Sequence, residues 1–152
     1  TEDEKEAYKR ALNLKLINLM ITKKLLERMN AIVISKNSGR DAIEYLEHEE
    51  VHAILMDMNM PEMDGVATCM EIRNGKSNQN VPIFALSAST SEAEKLRAKK
   101  SGMNGYLDKP INVEQLLIII STIYTDFYWR RGAHGWSSEK KRFVLTTDVK
   151  TV

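Results

Sequence analysis

Asp57 closes the apolar run Val51-His52-Ala53-Ile54-Leu55-Met56 and is followed at once by Met58-Asn59-Met60-Pro61-Glu62-Met63-Asp64-Gly65. A buried strand that hands one carboxylate to a turn containing Pro and Gly sets a nucleophile or metal ligand at the carboxyl edge of a sheet, where open α/β folds do their chemistry. Capping of the next helix is the simpler role for such an Asp. Two later segments argue for more. Val81-Pro82-Ile83-Phe84-Ala85-Leu86 stops at Ser87-Ala88-Ser89-Thr90, and Gly105-Tyr106-Leu107-Asp108 stops at Lys109-Pro110. Parallel strands joined by helices bring all three endings to one edge, so a carboxylate, a hydroxyl and an ammonium group converge. Each of the two later endings offers a polar group suited to an anion.

The elements that must position these groups alternate. Helices are expected over 1–30, 39–49, 65–74, 91–101 and 112–124, and strands over 31–35, 51–57, 81–87 and 105–108, followed by a linker and a tail strand over 142–147. This order predicts a three-layer α/β sandwich around a parallel sheet. Residues 1–30 contain neither Gly nor Pro, Thr1 and Glu4 have capping-box spacing, and Ala7, Ala11, Leu14, Ile17, Ile21 and Leu25 recur at helical intervals.

The region from about Ile17 to Tyr124 resembles the receiver, or phosphoacceptor, domain of two-component and phosphorelay signalling. Met60-Pro61-Glu62-Met63-Asp64-Gly65 is similar to that family's Met-Pro-x-Met-Asp-Gly loop. The resemblance implies a flavodoxin-like sandwich with a five-stranded parallel sheet. It makes Asp57 the acceptor of a phosphoryl group from phosphohistidine, Ser87 the switch hydroxyl, Lys109 the invariant lysine, Pro110 its cis-prolyl neighbour and Tyr106 the aromatic switch. The Ala88 amide would hold a phosphoryl oxygen. It also implies Mg²⁺, held by Asp57, the Asn59 backbone carbonyl and an acidic pair after the first strand. The helix around Asn18 is most like receivers attached to hybrid sensor kinases.

The acidic pair is replaced. Aligning the first helix puts Asn13-Leu14-Lys15 where Asp-Asp-Asn is expected, and a cation at Lys15 disfavours a metal nearby. Tyr8 to Leu12 also lacks the continuous aliphatic run of a strand buried on both faces. Arg142-Phe143-Val144-Leu145-Thr146-Thr147-Asp148 has instead the form of a first receiver strand, with a basic start, a β-favouring middle and a terminal acid. Two arrangements stay open. Residues 142–147 fill the central slot, by circular permutation or by strand exchange between two chains, and bring Asp148 beside Asp57 as a further metal ligand. Alternatively, Arg10 to Asn13 forms a degenerate first strand and the tail is free. The corresponding division is a receiver-like unit over 1–124, a linker over 125–141 and a tail strand within 142–152.

Lys and Arg number 22 against 21 Asp and Glu, a net charge of +1 that argues neither for nucleic acid nor for acidic lipid. One Cys excludes an intramolecular disulfide framework, and Cys69 is expected to be a small buried residue. Leu116-Leu117-Ile118-Ile119-Ile120 is too short to span a bilayer, so the expected setting is cytoplasmic, without membrane contact. His48, His52 and His134 lack zinc spacing, and Met56, Met58, Met60 and Met63 are expected to fill core gaps. Phe127-Tyr128-Trp129-Arg130-Arg131 and Trp136 are read as a linker packed on the domain, which together with the apolar last helix could form a homodimer surface.

Three functions follow. The first is a receiver that catalyses its own phosphorylation and dephosphorylation, with a histidine kinase or histidine phosphotransfer domain as donor. Kinase activity would belong only to a larger parent protein. The second is a pseudo-receiver that docks or dimerises without phosphorylation. A phosphate-ester hydrolase with an aspartyl intermediate ranks last, because the second Asp typical two residues after its nucleophile is Asn59 here.

Overall fold

Thr1 caps the first helix by accepting from the Glu4 amide, and acids at Glu2, Asp3 and Glu4 complement the positive end of the dipole. With nothing to break it, α1 runs from Glu2 to Arg28, about 40 Å at the helical rise. Its first fourteen residues are exposed; Leu26 and Thr22 are buried. The computed structural model describes residues 1–89, 91–131 and 140–148, with 126–131 described by their backbone alone.

The remaining elements are β1 (Ala31–Lys36), α2 (Gly39–His48), β2 (Ala53–Asp57), α3 (Gly65–Asn74), β3 (Ile83–Ser87), α4 (Glu92–Ser101), β4 (Gly105–Asp108), α5 (Val113–Arg131) and β5 (Lys141–Thr146). The five strands form one parallel sheet in the order β1-β5-β2-β3-β4. A flavodoxin-like sheet runs 2-1-3-4-5. This is the same sheet with its first strand supplied from the end of the chain. Val33 pairs with Phe143 and Ile34 with Val144 on one side of β5, while Ala53 pairs with Phe143 and Leu55 with Leu145 on the other. The central strand belongs to the same chain, and residues 8–12 are helical.

The alternation of side chains along the strands builds two cores. Phe143, Leu145, Ala53 and Leu55 face α1 and α5 through Leu26, Leu116, Ile120 and Ile123. Val144, Ile54 and Met56 face the other helical layer through Ala42, Leu46, Cys69, Ile72 and Ala98. Met56, Met58 and Met60 are buried in that second core, as gap fillers would be. Cys69 is fully buried, its thiol donating to the Ser101 carbonyl, and burial pushes its pKa up. His52 is tied to β5 through its backbone and through Nδ1, which accepts from the Arg142 amide.

The structure departs from the sequence reading at the last helix. α5 continues to Arg131, through residues expected to begin a linker at 125. No Gly or Pro interrupts that stretch before Gly132. The side chains of Phe127 to Arg131, together with His134 and Trp136, lie outside the described residues.

Arg73 fastens the far end of the sheet. Its guanidinium donates to the carbonyls of Gly102, Gln79 and Val81 and to Asn104 Oδ1 at 2.6–3.0 Å. It thereby joins the end of α3, the entry to β3 and the α4–β4 turn. Arg73→Ala is expected to lower stability by about 2–4 kcal/mol, since several partly buried acceptors lose their donor together. Urea unfolding checks this, and a loss below about 1 kcal/mol would show that water replaces the guanidinium without cost.

Candidate active site

The buried strand β2 ends on Asp57, which is only 2% exposed. Its carboxylate is held from two directions: Lys109 Nζ lies 2.8 Å from Oδ2, and the Asn59 amide donates to Oδ1 at 3.0 Å. Its own amide donates to Thr146 Oγ1 at 2.8 Å, so β5 fixes the backbone that aims the carboxylate. A charge so buried is tolerated because it is paired and hydrogen-bonded.

The turn that follows leaves no space for a larger residue at Gly65. A Cβ there would stand 2.5 Å from the Asp57 carbonyl oxygen. Asp64 caps α3 by accepting from the Ala67 amide, and the first residue of that helix, Gly65, lies against the Asp57 backbone. Lys109 arrives from the end of β4, where its amide donates to the Ser87 carbonyl and the Lys109–Pro110 bond is cis, matching the cis-prolyl neighbour expected there.

Asp57 and Lys109 line one cavity of about 50 Å³ with Lys15, Asn18, Thr146 and Asp148. That is the scale of one or two water molecules, far below a nucleotide pocket. Asp148 therefore stands beside Asp57. Asn13 and Leu14, aligned with the acidic pair, are instead exposed on α1.

Lys15 was expected only as a cation unfavourable to metal. Its Nζ lies 2.6 Å from Asp148 Oδ2, and that hydrogen bond, with the charges of Asp148 and Asp57 adding to it, holds its pKa above the usual lysine value. Sequence position could not reveal the pair, because its partners are 133 positions apart. The spacing does contain a signal: Lys15, Asn18, Leu19, Thr22 and Leu26 fall on one helical stripe, and the last two are anchored in the core.

Ser87 and Tyr106 are close in the fold but do not line this cavity. The Ser87 hydroxyl is buried, donates to Glu94 Oε2 at 3.2 Å and accepts from the Ser89 amide. Among the described residues the buried Tyr106 hydroxyl finds no hydrogen-bond partner, nor does Asp108 Oδ1. Ala88 is exposed at the end of β3.

The three metal ligands expected from sequence, Asp57, Asn59 and Asp148, do not make an open donor set. Each carboxylate holds an ammonium group, and among the described residues no three His, Cys, Asp or Glu are grouped to hold a metal. Two carboxylates and two ammonium groups already cancel. Mg²⁺ gives up water reluctantly and would have to displace Lys15 to reach Asp148. The residues present do not fit a resident divalent ion.

Comparison with known proteins gives a consistent picture. Residues 15–121 match the response regulator receiver domain family. Sensor histidine kinase GacS of Pseudomonas protegens is 36% identical over 135 residues, covering 87% of this chain and 15% of the kinase. Signal transduction histidine-protein kinase BarA of Escherichia coli is 36% identical over 99 residues, 65% of this chain and 11% of the kinase. The chain thus spans a small part of the length of these relatives. The receiver domain of a Pseudomonas aeruginosa sensor histidine kinase, solved with magnesium in its active site cleft, superposes with a TM-score of 0.64 at 30% identity, over 70% of this chain and 87% of that one. The receiver domain of a Saccharomyces cerevisiae response regulator, solved with a histidine phosphotransfer protein, gives a TM-score of 0.60 at 30% identity, over 66% and 77%. Among the described residues no helix is long and apolar enough to cross a membrane. The matched segment covers more than two thirds of the chain and includes Asp57 and Lys109, and the chain belongs to the response regulator receiver domain family.

Proposed function

We propose that the chain works in a phosphorelay as a phosphoacceptor, taking a phosphoryl group from phosphohistidine onto Asp57. The observation that carries this reading is the buried Asp57 carboxylate at the end of β2, paired at 2.8 Å with Lys109 in a cavity of phosphoryl rather than nucleotide scale. One Asp57 oxygen forms the new O–P bond as the P–N bond breaks. The electron pair of that bond returns to the imidazole nitrogen, which leaves as neutral imidazole when the other ring nitrogen carries a proton. Lys109 then follows the charge from the carboxylate to a phosphoryl oxygen.

The response follows from what the phosphoryl group adds. The Ser87 hydroxyl would leave Glu94 for a phosphoryl oxygen, with the Ala88 amide as a second donor, and Tyr106 would turn as the loop after β3 moves. Its buried hydroxyl, without a partner among the described residues, supports such a motion, since a buried hydroxyl gains from any arrangement that supplies a partner. Similarity to sensor histidine kinases and to a receiver solved with a histidine phosphotransfer protein supports a donor of that class.

Incubation with phosphoramidate, followed by intact mass and peptide mapping, tests the reading. Wild type is expected to gain one alkali-labile phosphoryl group on the Asp57 peptide, and Asp57→Ala none. Equal labelling of the variant would remove Asp57 as the acceptor. No label on wild type would favour the pseudo-receiver, a docking module independent of phosphorylation.

A further inference from the structure

We propose that Lys15 is a phosphoryl-binding residue, a tethered cation that lets Asp57 be phosphorylated between two ammonium groups without a divalent metal. This rests on the acceptor reading above and adds to it the identity of the second positive charge. Asp148 orients the ammonium group at 2.6 Å, and both residues line the cavity that contains Asp57 and Lys109.

Stability does not explain the pair. The Lys15 side chain is 52% exposed and that of Asp148 21%, and ion pairs of such exposure contribute at most about 1 kcal/mol. Placement explains it better. α1 is anchored by Thr22 and Leu26 and carries Lys15 two turns earlier, where the helix passes the carboxyl edge of the sheet. Cavity, orienting carboxylate and helix together preorganise the charge, which is what transfer of an anionic group onto a carboxylate requires. Lys109 holds Asp57 from one side and Lys15 enters from the β5 side. As negative charge spreads over the phosphoryl oxygens, each ammonium can take one oxygen. The neutrality of the two ion pairs has a second consequence: a divalent ion would leave the site strongly positive, so Lys15 and the metal exclude one another.

The test uses the full chain and phosphoramidate, whose P–N bond breaks with ammonia as the leaving group. Labelling of wild type is expected in EDTA as well as in Mg²⁺. Lys15→Met should slow the EDTA reaction about 100-fold, the usual scale for losing one preorganised charge-stabilising donor, and Lys15→Arg should restore most of it. Mg²⁺ should rescue Lys15→Met, because Asp148 is then free. A readout independent of labelling is Mg²⁺ titration followed by the Asn59 amide resonance, in which Lys15→Met should bind at least about tenfold more tightly than wild type. Wild type that labels only with Mg²⁺, or Lys15→Met that labels in EDTA like wild type, would overturn the proposal while leaving Asp57 as acceptor. Failure of the acceptor reading itself has a different signature, label retained in Asp57→Ala.

Discussion

A chain ending at Arg131 is expected not to fold. It keeps every residue matched by the receiver family and loses only β5 and its approach. Phe143, Val144 and Leu145 are no more than 2% exposed, so their burial contributes about 5–9 kcal/mol by apolar transfer, comparable with the whole net stability of a domain. The loss is larger still, because β1 and β2 both face an open slot in which backbone donors and acceptors of two strands are unpaired. Circular dichroism and amide dispersion should report a collapsed or unfolded chain, and Phe143→Ala in the intact chain should cost about 3–5 kcal/mol. Removal of residues 1–14, all exposed on α1, should leave the fold standing. Cooperative unfolding of the chain ending at Arg131 would mean that Tyr8 to Leu12 can turn from helix to strand and take the slot.

The contrast between these two truncations explains why so much of the fold was legible in the sequence. A parallel strand covered on both faces must be apolar at almost every position, and 142–145 reads that way beyond its first residue whereas 8–12 does not. The helix over 1–30 was equally plain, having a capping box and no breaker. The end of α5 was less so. A helix stop is signalled by Gly or Pro, and the stretch after Tyr124 has neither before Gly132, so α5 continues where composition suggests a linker.

The site divides in the same way. Asp57, Lys109 and Asp148 were legible because strand ends announce an edge, and the topology then brings the edges together. The Lys15 pairing and the Arg73 clamp were not. Both depend on where a long flexible side chain ends, across 133 positions in one case and on the loops of three other elements in the other. Local pattern carries no information about such endpoints. Lys15 read only as an obstacle to metal, because its partner could be named only once the tail strand was seated.

Lys109→Ala should be the most damaging single substitution in the site, and more damaging than Asp57→Ala. The two ends of the pair differ in burial: the Asp57 side chain is 3% exposed and that of Lys109 28%. Removing the lysine leaves a buried carboxylate with one backbone donor, an uncompensated charge of the kind that costs about 3–5 kcal/mol. Removing the carboxylate leaves an ammonium group on a flexible stem that can reach water, at much smaller cost. Urea unfolding should therefore rank wild type and Asp57→Ala close together, with Lys109→Ala well below. The double variant should recover most of the loss, since it no longer buries a lone charge. Phosphoramidate labelling of Lys109→Ala should fall by about 100-fold, and whatever label forms should leave the Tyr106 ring resonances where they were, because no ammonium group draws the end of β4 onto the phosphoryl oxygen. Equal stabilities for the two single variants would show that water already solvates the Asp57 carboxylate, and the buried pair would lose its place as the organising contact of the site.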